Sequence, residues 1–342
     1  MMEHRVRQIY RRLQDDESRF VFEKRLMHSL TGDARYIQEL VAPLPEAKAL
    51  RQTILQGEEN FIFGAGDYGQ AVYAMAPQAW EGIFDNNPQK WGQKIGGGTI
   101  VPPKMIQEHP HARVFLAVHK GGRNYQHEIA KQLAELGVAS ERIIRVDQIV
   151  DRMAARQYFT LSAMPHEKDE TFVDAGAYDG DTARAFAAWA KEWRHIYAFE
   201  PDPSNREKCG RTLQDLSPEK TTLFPYGAWK EKGALRFKNT GDWSSEVNEA
   251  GELRIPVSSI DEEICDGRVT FIKMDIEGSE RAALEGAEKT VQRNRPKLAI
   301  CVYHKPEDIL DLPEYILSLH PDYRLYLRHY SLISTETVLY CL

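Results

Sequence analysis

Residues 172–182 read FVDAGAYDGDT, an apolar run that ends on an aspartate and opens at once into a glycine-rich bend. The spacing is D-x-G-x-x-x-G, with Asp174 ahead of Gly176 and three residues between Gly176 and Gly180. A carboxylate beside a diphosphate would repel it, so this bend is a poor phosphate cradle. It suits a ligand with a cationic part, and S-adenosylmethionine carries an amine and a sulfonium but no phosphate. Asp174 either accepts from the amine or organises the loop. Gly176 and Gly180, with Ala177 and Tyr178 between them, let the backbone close on the methionine portion. Asp181 or Thr182 caps the helix that follows, in which Phe186, Trp189 and Trp193 recur at helical spacing.

A second bend lies upstream. Residues 60–72 read NFIFGAGDYGQAV, with Gly64, Gly66, Tyr68 and Gly69 in a GxGxxG turn directly after a short apolar strand. Asp85 ends the next strand, sixteen residues past Gly69. That arrangement matches the dinucleotide fingerprint, in which glycines let backbone approach a pyrophosphate and an acid takes a ribose hydroxyl. A tight turn that needs glycine for packing alone explains the same residues, and both readings stand. The two bends therefore point to two different ligands.

Around them, strands alternate with helices, which is the pattern of parallel sheets. The expected fold class is α/β: two Rossmann-like domains, the C-terminal one a seven-stranded sheet, preceded by a helical arm. Residues 1–56 form the arm, with Val6, Ile9, Tyr10 and Leu13 on one face. Residues 57–150 form a nucleotide- or nucleotide-sugar-binding-like domain and residues 151–342 the second α/β domain. Residues 151–169 are mostly polar and read as the link. The arm reads as a packing element or a homo-oligomer contact.

The chain has 342 residues, a formal net charge of −7 and 42% hydrophobic residues. The negative balance argues against a nucleic-acid partner, and no stretch approaches the ~20 apolar residues of a membrane span. The opening MMEHRVRQIY lacks an apolar h-region, so no signal peptide is expected. Cys209, Cys265, Cys301 and Cys341 show no CxxC pairing and fit a reducing cytoplasm.

Glu200 ends the strand HIYAFE twenty residues after Gly180 and is placed to take two ribose hydroxyls. Pro201 and Asp202 turn the chain beneath an adenine, and Gly227, Ala228 and Trp229 flank it. Trp229 fits an ordinary core role equally well. Asp275 ends the strand VTFIKMD, and Glu277 follows it.

The pieces FVDAGAYDGDT, AFEPDP, VTFIKMDIEGSERAALEGA and KLAICVYHKPEDI together resemble the FkbM-type family of S-adenosylmethionine-dependent methyltransferases over roughly the last 175 residues. The resemblance implies O-methyl transfer, often onto sugars or related hydroxylated metabolites. It carries Asp174, Gly176, Gly180 and Glu200 over as cofactor contacts. The family's strand-five ending has a glutamate and, two residues on, a histidine; here Val302-Tyr303-His304 lacks the glutamate. The upstream segment FIFGAGDYGQAV…GIFDNNP is similar to the Rossmann-like domain that precedes some sugar acyltransferases, where a nucleotide sugar can bind.

An alcohol acceptor needs a base at neutral pH. His304 is the first candidate and Asp275 the second. A divalent metal held by Asp275, Glu277 and His304 is a rival account, and a structural role for His304 in the turn HKPED is another. Glu277 and His329 are candidate substrate contacts. Trp243 and Ser244 lie in a long polar span between two expected hairpin strands, ALRF and ELRIPV, and either contact the substrate in a lid or anchor the loop. The competing functions are a nucleotide-sugar or NAD(P)-dependent enzyme working at Gly64–Gly69 and a non-catalytic ligand-binding protein.

Overall fold

The computed structural model describes residues 2–57, 59–118, 125–237, 253–265 and 267–342. The chain divides into a larger unit of Met1–Ser29, Gln157–Arg328 and Glu336–Leu342 and a smaller unit of Leu30–Arg156 and His329–Thr335.

The smaller unit contains β1 (Asn60–Phe63), β2 (Gly82–Phe84), β3 (Lys94–Ile95), β4 (Gly98–Val101), β5 (Arg113–Leu116) and β6 (Ile143–Arg145). They form one sheet in the order β3-β4-β2-β1-β5-β6. Only the β3–β4 pair is antiparallel. β1 and β5 are buried almost throughout because helices need to cover both faces of a parallel sheet. Phe61 and Phe84 stack at 4.6 Å between ring centres in its core. The chain steps from β1 to β2 and β4 in one direction, then returns past β1 to β5. That reversal puts the Gly64 turn at a topological switch point, where open α/β sheets bind ligands.

In the larger unit the main strands are β7 (Glu170–Ala175), β8 (Trp193–Phe199) and β9 (Thr221–Phe224), then β13 (Phe271–Met274), β14 (Lys297–Cys301), β15 (Leu325–His329) and β16 (Thr337–Cys341). Between them β10 (Gly227–Ala228), β11 (Gly233–Phe237) and β12 (Leu253–Ser258) make a separate three-stranded sheet. The seven-stranded order is β15-β16-β14-β13-β7-β8-β9, with β16 antiparallel to β14. Here the switch falls between β7 and β13, so the Gly176 bend and Asp275 emerge side by side. β7, β13, β14 and β16 are buried at every position.

The expected hairpin exists: β11 and β12 pair antiparallel, from Gly233 opposite Val257 onward. The span with Trp243 and Ser244 lies outside the described residues. Two local readings need correction. The helix after the bend ends at Ala190, and Trp193 opens β8 instead of continuing the helix. The polar stretch 151–169 is no inert link: Phe159 packs against Phe172, Phe186 and Phe271 with ring centres 5.7 to 6.1 Å apart. Its aromatic pair, Tyr158 and Phe159, is too short a signal to read as an element, yet it completes the core under β7 and β13.

The helical arm also behaves differently from an independent element. Ile9 and Leu13 are buried, Gln14 donates its backbone N–H to Leu325 O, and Arg5 pairs with Asp311 and Glu314. The apolar stripe of the first helix (Met2–Arg12) is thus covered within the larger unit.

Candidate functional site

The Gly176 bend is built by steric necessity. Gly176 and Gly180 both have φ +84°, a conformation side chains disfavour. A Cβ at Gly176 would lie 2.0 Å from Asp275 O, and one at Gly180 would lie 2.9 Å from Thr212 Cβ. The backbone N–H groups of Gly176 and Ala177 both donate to Phe199 O at 3.1 Å. The Tyr178 N–H donates to Glu200 Oε2 at 2.8 Å, and the Asp202 N–H to Glu200 Oε1 at 2.8 Å. These amides are therefore engaged by the protein, not held ready for an anion. Glu200 is buried, which raises its pKa, while the two backbone donors hold it down. Each oxygen keeps a further lone pair for a ribose hydroxyl.

Asp174 has 0% exposure and pairs with Lys273 at 3.0 Å. Lys273 also donates to Gly176 O at 2.7 Å. Of the two roles read for Asp174, the structure favours organising the loop: the acid fixes a lysine, and the lysine fixes the bend. Burial raises the Asp174 pKa against the pull of Lys273. Nothing in the IKMD run marks Lys273 for this part, since a lone lysine in an apolar strand carries no motif.

Several other residues take roles of their own. The helix following the bend starts at Asp181 with Gly180 as its N-cap, so neither Asp181 nor Thr182 caps it; Asp179 accepts the Asp181 N–H at 3.2 Å. Asp202 caps the helix Pro203–Leu216 by accepting from Ser204 and Asn205. Pro201 does meet Gly227: a Cβ at that glycine would sit 3.7 Å from the proline ring. Ala228 is buried, and Trp229 donates its backbone N–H to Ser258 O at 2.9 Å.

At the end of β13, Asp275 collects the chemistry. Its Oδ2 accepts from Tyr158 at 3.1 Å and its Oδ1 from Tyr303 at 3.2 Å. His304 Nε2 stands 3.4 Å from Oδ1, and its Nδ1 is 2.9 Å from Glu280. Burial works against a charge on His304, but Glu280, Asp275 and Glu277 outweigh it and raise the pKa to about 9. An imidazolium cannot accept a proton at neutral pH, so His304 is an electrostatic partner and not a free base. Glu277 sits beside it with φ +55° and a side chain 53% exposed. His329 ends β15, is buried, and groups with the smaller unit, not with the unit that holds Asp275.

One further acid belongs here that no motif in the sequence marks. Glu336, φ +64°, accepts from Gln157 and lies 3.5 Å from the Tyr303 hydroxyl. Burial raises its pKa to about 7. Val302, which stands where the resemblance implies a glutamate, donates its N–H to Thr337 O at 2.9 Å. The residue just before β16 is thus a carboxylate, and Thr337 after it bonds Val302, a relation that no local motif reveals.

The metal set also changes. Among the described residues, Asp275, Glu280 and His304 bring ligand atoms within 4.8 Å of one another; Glu277 is not part of that group. His304 Nδ1 stands 2.9 Å from Glu280 Oε1, which accepts the Ile276 N–H at 2.9 Å, while both ring nitrogens and Glu280 Oε2 are buried without a hydrogen-bond partner. Two of the three, Asp275 and Glu280, already accept hydrogen bonds from Tyr158, Tyr303 and the Ile276 N–H.

In the smaller unit the Gly64 turn lines a cavity of about 570 Å³. Asp85 Oδ2 accepts the Ala65 N–H at 3.0 Å and pairs with Lys90 at 3.0 Å, while Oδ1 accepts the Asn87 N–H at 2.8 Å. Gly64, Gly66, Tyr68 and Asp85 line this one space, and Gly69 packs against Gly64 behind it.

Residues 174–331 match the family model described as the methyltransferase FkbM domain. A methyltransferase FkbM from Methylobacillus flagellatus KT is similar in fold, with a TM-score of 0.52 and 20% identity over 93% of this chain and 100% of that one. An rRNA methylase from Streptococcus thermophilus is more distant, at a TM-score of 0.35 and 19% identity over 57% and 93% of the two chains. No curated protein matches the sequence. No helix among the described residues is long and apolar enough to cross a membrane.

Proposed function

We propose, from the match of residues 174–331 to the methyltransferase FkbM domain, that the protein moves a methyl group from S-adenosylmethionine to a hydroxyl of a small metabolite, with sugars as the leading class. One contact carries the reading: the Gly176 bend and Asp275 touch backbone to backbone, since only a glycine leaves room for Asp275 O. A donor bend and a proton acceptor are thereby held side by side.

The residues fit the cofactor. Glu200 retains lone pairs for a ribose, and Gly176, Ala177, Tyr178 and Gly180 form a bend whose first amides are already used, which disfavours a phosphate ligand. The carboxylates Asp275 and Glu277 are both drawn to the charged His304. When bound, S-adenosylmethionine supplies a methyl group on a positively charged sulfur. Asp275 takes the proton of the acceptor hydroxyl as the carbon–oxygen bond forms. Tyr158 and Tyr303 orient its carboxylate by donating to it. His304, charged below a pH of about 9, holds the acids together. Glu277, half exposed, is open to the acceptor's other hydroxyls. No step passes through a metal.

The test is Asp275→Asn, assayed as S-adenosylhomocysteine formation across a panel of sugars and other hydroxylated metabolites. Losing a general base is expected to lower turnover by about 10²–10⁴-fold, with cofactor affinity retained. Full turnover in the variant, or transfer to amines alone, contradicts the reading.

A further inference from the structure

Asp275 and Glu336 share one tyrosine. The Tyr303 hydroxyl donates to Asp275 Oδ1 at 3.2 Å and lies 3.5 Å from Glu336 Oε1. A tyrosine hydroxyl carries a single hydrogen, so it cannot donate to both acids at once. Two arrangements satisfy it. In one, Glu336 is protonated and donates to the tyrosine oxygen while Tyr303 donates to Asp275. In the other, Glu336 is ionised and competes with Asp275 for the one hydrogen.

The fold holds Glu336 in this place under strain. Its φ is +64°, and Tyr158 and Glu277 at the same cluster have φ +68° and +55°. Left-handed backbone on residues with side chains persists where the surroundings over-determine it, and it gathers at functional sites. Two contacts fix the acid. Gln157 donates to Glu336 Oε2, and Thr337 O accepts the Val302 N–H at 2.9 Å, which sets Glu336 against Tyr303. Gln157 precedes Tyr158, the second donor to Asp275, so one two-residue stretch bonds both acids. Burial and the nearby charge of Asp275 raise the Glu336 pKa to about 7. Glu277 and His304 also act on Glu336, while Cys301, Glu277 and Arg25 face Tyr303.

We propose that Glu336 is a positioning residue for methyl transfer: its proton keeps the Tyr303 hydrogen on Asp275, and loss of that proton draws the hydrogen away and leaves Asp275 a readier acceptor of the substrate's proton. This rests on the reading of Asp275 as the base. The hydroxyl proton passes to Asp275 as the carbon–oxygen bond forms and the carbon–sulfur bond breaks, and the Glu336 proton is not consumed. Glu336 acts on the reaction through Tyr303 alone.

Two measurements on the full chain test this. Infrared difference spectra between about pH 6 and 8 read the carbonyl stretch of a protonated carboxyl with no substrate present. A band is expected that is missing in Glu336→Gln and shifted in Tyr303→Phe. The second measurement is the pH profile of kcat at saturating S-adenosylmethionine and acceptor. Wild-type turnover is expected to rise by about threefold or more across that window, because losing a donor bond strengthens a general base. Both variants are expected to lose the rise. Glu336→Gln, whose amide still donates to Tyr303, is expected to keep KM and S-adenosylhomocysteine affinity. A wild-type profile in Glu336→Gln overturns the proposal, and so does the absence of a Glu336 band or a band that Tyr303→Phe leaves unmoved. A chain with the expected infrared pattern that transfers no methyl group to any hydroxyl overturns the methyl-transfer reading, and the proposal falls with it.

Discussion

Lys273 shows how much of a site depends on a residue that does not touch the ligand. It sits fully buried between Asp174 and the carbonyl oxygen of Gly176. Lys273→Met leaves the Asp174 charge buried without its partner, and is expected to cost about 3–5 kcal/mol in urea unfolding; a shift under about 1 kcal/mol would mean the pair does not hold the bend. The titrating groups give a second residue-scale expectation. His304 is raised to about 9, and Glu336 and Asp308 are each raised to about 7 by burial. Each binds its proton more tightly folded than unfolded, so each contributes stability that is complete below its unfolded pKa and lost as pH rises through the folded value. The carboxylates act between about pH 4.5 and 7 and the histidine between about 6.5 and 9. Thermal midpoints are expected to fall across this whole window, and His304→Gln is expected to flatten its upper half. A midpoint that rises from pH 7 to 9 contradicts the assignment. The sequence shows His304 as a titratable group but not the size of its shift: its three acids are Asp275, Glu277 and Glu280, whose approach depends on the fold.

The elements are more legible than the side-chain contacts. Fully apolar runs such as TFVDA and FIKM are what a sheet covered on both faces requires, so the strands stand out. The bend after β7 stands out as well, because its glycines are dictated by local geometry. Gly176→Ala is expected to combine a positive-φ strain of about 1 kcal/mol or more with a clash against Asp275 O, and so to lower the thermal midpoint and abolish binding of S-adenosylhomocysteine. Retained binding at wild-type affinity would show that the bend tolerates a side chain and that the contact with Asp275 is not essential. Signals of one or two residues are what sequence reading misses at this scale. Tyr158 and Phe159 lie in a stretch read as a polar link, and Glu336 belongs to no motif. Both gain their meaning from neighbours more than a hundred residues away, Asp275 for Tyr158 and Gln157 for Glu336.

Across the whole molecule, two glycine bends at two switch points each give a backbone amide to the acid that ends the next strand. In the larger unit the amides of the bend are taken by Phe199 and Glu200, and in the smaller unit one of them is taken by Asp85. Sequence spacing alone separates the two bends, since an acid precedes the first glycine in one and not in the other. It does not reveal that Asp85 closes over its own turn, because that contact spans 20 residues and two strands. The central claim is that the bend at Gly176, with Glu200, holds a sulfonium donor. Calorimetric titration of the full chain with S-adenosylmethionine tests it most directly, comparing wild type, Glu200→Ala and Gly66→Val. Binding is expected in the wild type, weakened by about tenfold or more in Glu200→Ala through the lost charge-assisted ribose contact, and untouched in Gly66→Val. No binding, or binding that Gly66→Val destroys and Glu200→Ala spares, would contradict it.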